Sequence, residues 1–331
     1  MFRICYVDLN AGDFQEDYSY SPQRYGGGRV LAAALLKNLP QVPDSSRPSF
    51  HLYARKKALE NVQVQDLPQC FELSQNSQNL IRSGDFLKNH IDEDNYDIFV
   101  SHDPCIWLNT DKLQATWPIG YREKVHPKHK HVIMFDRVGQ ESDLPKYCFV
   151  YDAVIGPPAP IFKEYIKKDY IFQCSRHLDV FQSIEIAKLC INNKIKCYFA
   201  GPIEDGYNLL EFIDNKNTFY LGVIDQETKI KYLQGALFFT QLQTYPIAAT
   251  LAGKEALLYG VPLLTTPIGG WMRLIHHGIN GYFIKNENDF LNAWNNKDCI
   301  LQKNCYLSCL DHTEEKMIDS FLKAFERILE S

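Results

Sequence analysis

Arg176, Glu255, His102 and several paired glycines are the residues of this chain whose types and spacing suit chemistry on a charged, oxygen-rich ligand. Arg176 lies in "FQCSRHLD" (172–179), and a guanidinium clamps phosphate oxygens in a two-pronged fork. "RYGGGRV" (24–30) sets Gly26, Gly27 and Gly28 between a strand and a helix. Glycine there lets the backbone approach a ligand closely, and amides at a helix N-terminus attract phosphate. The spacing is not G-x-G-x-x-G, so no dinucleotide site is read from it. In "VSHDP" (100–104), His102 ends a strand and Asp103 caps the turn before Pro104; an imidazole at such a place hydrogen-bonds a hydroxyl. Glu255 sits inside "ATLAGKEALLYGVPLLTTPIGG" (249–270), with Thr250 and Leu251 at the head of its helix, Gly269-Gly270 closing the stretch and Arg273 just beyond.

These residues need a frame, and the pattern around them supplies one. "YFAGP" (198–202), "FYLGVI" (219–224) and "ALFFTQL" (236–242) read as buried strands, the first two ending in glycine turns. After them come the helix with Glu255, a Gly260-Val261-Pro262 stop, a short strand, the Gly-Gly loop, and "LIHHGINGYFI" (274–284) with tight turns at Gly278 and Gly281. Strands alternating with helices specify an α/β fold with a parallel sheet, whose ligands sit at the carboxyl ends of the strands. The first half repeats the theme. "FRICYVDL" (2–9), "SFHLYA" (49–54), "YDIFVSH" (96–102), "HVIMFD" (131–136) and "YDAVIG" (151–156) are predicted strands, with helices over 29–39 and 77–91. The proline-dense "GPPAPIF" (156–162) marks a hinge, because Pro-Pro continues neither strand nor helix. The expected division is 1–157, 158–311, and a terminal amphipathic helix over 312–331.

The second half resembles the C-terminal domain of the large retaining GT-B glycosyltransferase family, the "group 1" or family 4-like transferases that use nucleotide-diphosphate sugars. The resemblance implies two Rossmann-like parallel-sheet domains facing a central cleft, with the last helix crossing back to the first domain. It implies metal-independent transfer, with retention, from a UDP- or GDP-sugar to a hydroxyl of a glycan, lipid-linked saccharide or other small acceptor, and no permanently bound cofactor. By the same resemblance Glu255 holds the ribose hydroxyls, and the amides of Thr250 and Leu251 face the diphosphate. Val223, Gly269 and Gly270 line the donor pocket, Gly27 and Gly28 face donor and acceptor, His102 reaches the donor sugar, and Arg176 neutralises the departing diphosphate. The chain departs from the family in two places. The family's Gly-Arg, then Lys-Gly, becomes Ser175-Arg176, then Phe181-Gln182, leaving His177 or Arg273 to supply a second positive charge. The first Glu of the family's spaced pair is Ile247 here, with Thr244 or Tyr245 as neutral replacements. A sugar-nucleotide-binding protein without turnover, and an epimerase or hydrolase on the same fold, stand as alternatives.

Composition fits a two-domain globular chain: 331 residues, 45% apolar and 23% charged. A net charge of −5 speaks against an obligate nucleic-acid partner. The N-terminus enters a strand directly and no long apolar run occurs, so a cytoplasmic protein is expected, neither secreted nor membrane-spanning, with peripheral contact at the inner face of a membrane left open. The ten cysteines form no C-x-x-C pair and read as buried thiols, Cys305 and Cys309 sharing a helix face. "YREKVHPKHKH" (121–131) reads as an exposed basic loop, and "DEDNYD" (92–97) as a solvated helix end rather than a metal motif.

Overall fold

The computed structural model describes residues 2–7, 49–53, 91–101, 110–116, 129–135 and 148–331. The chain forms two compact units, one of Met1–Ile155 with Glu315–Ser331 and one of Gly156–Glu314.

The first unit is built on a parallel sheet of β1 (Arg3–Val7), β2 (Ser49–Tyr53), β3 (Ile98–Ser101), β4 (Leu113–Thr116), β5 (His131–Phe135) and β6 (Phe149–Ala153), in the order β2-β1-β3-β4-β5-β6. Ile4 of β1 lies opposite Phe50 on one side and Ile98 on the other. Every residue of β3 is buried, as expected of a parallel strand covered on both faces. Strand β4 was not anticipated. Its "LQAT" is short and half polar, yet Gln114 and Thr116 are buried, and Thr116 donates its hydroxyl to the Ser101 carbonyl at 2.9 Å. The order reverses between β1 and β3, and sheets of this kind take ligands at the carboxyl ends of the strands beside such a point. Gly26, Gly27, Gly28, His102, Asp103, the helix expected over 29–39, all but the last residue of the helix expected over 77–91, and 121–128 lie outside the described residues.

His129 and His131 correct the reading of an exposed basic loop: both are buried, and His131 opens β5 with Nδ1 3.1 Å from the Tyr151 hydroxyl. Burial, with Lys130 adding to it, lowers the His131 pKa. The "DEDNYD" stretch forms a 3-10 turn over Glu93–Asn95, and its Asp97 takes the backbone N–H of Arg3 at 2.7 Å. The C-terminal helix (Glu314–Leu329) buries Met317, Phe321, Ala324, Phe325 and Ile328. That spacing is one helical stripe. Phe325 meets Phe2 edge-on at 6.3 Å, and the Val154 N–H donates to Ser320 Oγ at 3.0 Å.

The second unit carries β7 (Lys168–Cys174), α1 (Ser183–Asn192), β8 (Lys196–Ala200), β9 (Thr218–Tyr220), α2 (Gln226–Gly235), β10 (Ala236–Gln241), α3 (Leu251–Leu258), β11 (Leu263–Thr265), α4 (Trp271–Leu274), β12 (Gly281–Phe283), α5 (Glu287–Asn295) and α6 (Gln302–Ser308). Its parallel sheet runs β12-β11-β10-β7-β8-β9. Phe172, Phe199, Phe238, Phe239, Leu263, Trp271 and Phe290 are fully or almost fully buried in one core. Gly281 is not a turn residue: it opens β12, while Gly278 takes the positive φ of the turn before it. The described cysteines are free thiols, and Cys305 and Cys309 are buried, although Cys309 caps α6 instead of lying on it.

One glycine fixes how two strands end. Gly201 has a φ of 117°, and a Cβ there would collide with the Ser175 carbonyl oxygen. Gly201→Ala should therefore destabilise the second unit by about 1–3 kcal/mol, measurable as a lower urea midpoint by tryptophan fluorescence.

Candidate functional site

The second sheet reverses its order between β7 and β10, and the expected ligand-binding residues gather at the carboxyl ends of these two strands and their neighbours. Past β7 the chain stays laced to the end of β8. Ser175 N–H donates to the Ala200 carbonyl at 3.1 Å, His177 N–H to the Pro202 carbonyl at 2.8 Å, and Glu204 N–H to the His177 carbonyl at 3.0 Å. Side chains alternate along such an extended segment. Ser175 and His177 are more enclosed, whereas Arg176 points outward with its side chain 53% exposed. Its guanidinium meets Glu204 Oε1 at 2.9 Å.

His177 is not the second cation that the sequence suggested. It is fully buried, with Nε2 3.1 Å from the Ala200 carbonyl oxygen and Nδ1 2.8 Å from Ser183 Oγ. A carbonyl only accepts, so Nε2 carries the proton and Nδ1 accepts from the serine. Burial brings the pKa down to about 4, against the opposing pull of the Ala200 carbonyl, and the ring is neutral at neutral pH.

Beyond β10, the ends of two strands are clamped by threonines: Thr265 Oγ1 donates to the Gln241 carbonyl and Thr266 Oγ1 to the Gln243 carbonyl, each at 2.9 Å. Thr250 caps α3. Its Oγ accepts the Gly253 N–H at 3.3 Å and donates to Gln241 Oε1. Helix geometry leaves the other first-turn amides, Leu251 among them, pointing out of the helix end. Gly269, at a φ of 61°, and Gly270 pack on the strand of chain that leads into this helix. A Cβ on Gly269 would strike the Ile247 carbonyl oxygen, and the Gly270 N–H donates to that oxygen at 2.9 Å. Ile247, standing where the family has its first Glu, thus works through its backbone. Thr244 and Tyr245 are exposed beside it, and the Thr244 N–H donates to the Val180 carbonyl at 3.0 Å. Gln182, in the family's glycine position, holds a left-handed φ of 47° before α1. Arg273 is exposed on α4, and Val223 is exposed just past Gly222.

Glu255 lies in the middle of α3 and is only 8% exposed. Lys229 Nζ of α2 meets its Oε2 at 2.7 Å, and Gln226 Nε2 donates to its Oε1 at 2.8 Å. Sequence reasoning missed both partners. The Cys174 thiol, at the end of β7, is pushed up to about 11, first by burial, with Lys229 opposing the rise and Glu255 adding to it. Sequence reasoning also missed buried polar atoms at this edge: both amide atoms of Gln243, the Ser175 hydroxyl, Gln173 Oε1 and Trp271 Nε1 have no hydrogen-bond partner among the described residues.

No family model matches the chain, and no curated protein matches it. Solved structures do. Sucrose-phosphate synthase from Thermosynechococcus elongatus superposes with a TM-score of 0.74 at 11% identity over 100% of both chains. A glycosyltransferase from Rickettsia africae gives 0.72 at 14% identity, covering 100% of this chain and 99% of its own. This chain has the GT-B fold. Anabaena HepE, solved with UDP-glucose, shares it at a TM-score of 0.66 and 12% identity over 100% of both chains. Within this GT-B chain, Arg176, Val223, Thr250, Leu251, Glu255, Gly269, Gly270 and Arg273 all belong to the second unit, while Gly27, Gly28 and His102 fall outside the described residues.

Proposed function

We propose that this chain is a glycosyltransferase that moves a sugar from a nucleotide-diphosphate sugar to an acceptor hydroxyl, with retention and without a metal. The observation that carries the reading is Glu255. A nearly buried carboxylate, fixed from two sides by α2, stands on the helix whose capped N-terminus opens at the switch point of a GT-B second domain. Both the carboxylate and the helix end suit a nucleoside diphosphate. The carboxylate accepts from sugar hydroxyls, and first-turn amides at Thr250 and Leu251 face a diphosphate. HepE was solved with UDP and UDP-glucose, which supports a uridine donor.

In the proposed step the bond from the sugar's anomeric carbon to the diphosphate oxygen breaks, and a bond to the acceptor oxygen forms on the same face. The acceptor proton passes to a diphosphate oxygen. Arg176 neutralises charge on the departing diphosphate by exchanging Glu204 for phosphate oxygens, and Arg273 is the second exposed cation on this edge. His102, Gly27 and Gly28 serve the sugar and acceptor side by resemblance, the acceptor being a glycan or lipid-linked saccharide. The reading places the protein in the cytoplasm. No helix among the described residues is long and apolar enough to cross a membrane.

A second reading, nucleotide-sugar binding without turnover, is favoured by three features: Ile247 and Phe181 at the family's acidic and basic positions, and the engagement of Arg176 by Glu204. One experiment orders the two. UDP, GDP and their hexose conjugates are titrated against the protein while its melting temperature is followed, because a ligand of the folded state raises it. One nucleotide series should stabilise the wild type, and Glu255→Ala should weaken that binding by about 10- to 100-fold, the loss of hydrogen bonds to a charged group. Binding together with sugar release to an acceptor supports the enzyme, and binding without turnover supports the second reading. No binding of any member overturns both.

A further inference from the structure

Glu255 does not stand alone, and its neighbour on α2 carries an inference that rests on the donor-site reading. Gln226 is the first residue of α2, set in place by Asp225, whose side chain caps the helix by accepting the Thr228 N–H at 2.7 Å. Its Nε2 donates to Glu255 Oε1 at 2.8 Å. That bond fixes the amide's orientation, since a carbonyl oxygen turned toward a carboxylate oxygen would be repelled. A primary amide has two N–H donors and one carbonyl acceptor, and a carboxylate has about four acceptor sites. Gln226 spends one donor on Glu255, the residue itself is exposed, and the carboxylate spends one site on Gln226 and one on Lys229.

Among the described residues, one amide donor then remains beside two carboxylate acceptor sites. This is the complement of a vicinal diol. Both hydroxyls of a ribose need an acceptor for their protons, and each oxygen also takes a donor. We propose that Gln226 is a specificity-determining residue: with Glu255 it reads the intact 2′,3′-diol of a ribonucleotide, donating its second N–H to one ribose oxygen while Glu255 accepts the hydroxyl protons. A deoxy analogue then leaves both an acceptor of Glu255 and the donor of Gln226 without a partner, and a polar site that loses its matching hydroxyl discriminates strongly. Lys229 fixes the carboxylate from the opposite oxygen and acts as a positioning residue.

The test pairs ligand and protein changes. UDP and GDP, each with its 2′-deoxy and 3′-deoxy analogue, are titrated calorimetrically into the wild type and Gln226→Leu, with melting temperatures checking that the variant is folded. The wild type should prefer the ribonucleotide tenfold or more over at least one deoxy analogue. Gln226→Leu should weaken the ribonucleotide about tenfold while leaving that deoxy analogue nearly unchanged, so the preference collapses. A variant that keeps the full preference, or that weakens ribo- and deoxy-forms equally, overturns the role given to Gln226 and leaves the donor site standing. A wild type that binds neither UDP nor GDP overturns the donor-site reading itself.

Discussion

Lys229→Met should destabilise the second unit by about 3–5 kcal/mol, the range found when one partner of a buried ion pair is removed. The Lys229 and Glu255 side chains are 11% and 10% exposed, with Nζ 2.7 Å from Oε2. Removing the ammonium leaves the Glu255 carboxylate facing an apolar methionine in a poorly solvated place, with the Gln226 amide as its one remaining partner among the described residues. The lost cation matters more than the lost contact. A second variant separates these: Lys229→Met combined with Glu255→Leu removes both charges, and well-packed apolar replacements of buried pairs are close to neutral. The double variant should therefore recover most of the stability that the first loses. Urea midpoints of the wild type, both single variants and the double variant give the coupling. Simple additivity would mean that the two side chains do not depend on one another and would sink this account. The same comparison bears on function. A fold that apolar residues would hold equally well has little structural reason to keep a buried pair, and a carboxylate presented to ligand hydroxyls supplies the reason under the proposed reading.

The second unit was legible where its signal is local. Gly201, Gly260 and Gly278 do take positive φ at strand and helix ends, and Thr250 caps the helix that carries Glu255. Those features depend on backbone conformations that few residues accept, so residue type reports them directly. Burial produced by distant packing was not legible. Lys229 lies in "DQETKIKY" (225–232), a polar stretch that reads as a solvated helix face. It is enclosed because α2 packs on β7 and β10 and its ammonium meets Glu255, a contact between residues 26 positions apart (255 − 229). His177 was misread for the same reason. In sequence it is one more basic residue beside Arg176. The pairing of 175–177 with 200–204 turns it inward and Arg176 outward. Strand β4 escaped because Gln114 and Thr116 break the apolar pattern, and a threonine hydroxyl satisfied by the neighbouring strand is invisible in a sequence. Gly27, Gly28 and His102, the residues the resemblance implies for the first unit, lie outside the described residues.

Acid should weaken the second unit through His177 by about 3 kcal/mol between pH 6.5 and pH 4. The ring has a pKa of about 4 in the folded protein, lowered first by burial, against about 6.5 in the unfolded chain. Across that window the unfolded chain binds a proton that the folded protein does not, so stability falls as the pH falls. The contribution is complete above pH 6.5 and gone below about pH 4, and roughly 2.5 pH units at 1.36 kcal/mol each give the magnitude. Asp214 does not confuse the window. Desolvation pushes its carboxyl up, but the N–H groups of Thr218, Lys216 and Asn217 outweigh that and hold it below the ordinary carboxylate range. Its contribution is lost only as the pH falls below the range of ordinary carboxylates. His177→Gln offers an amide donor to the Ala200 carbonyl and an acceptor to Ser183 with no proton to gain. Urea midpoints of wild type and variant, measured from pH 7.5 to pH 4, should diverge in slope, steep for the histidine and shallow for the glutamine. Equal slopes would mean that His177 takes up its proton without opposition from the fold, and it would then again be a source of positive charge next to Arg176.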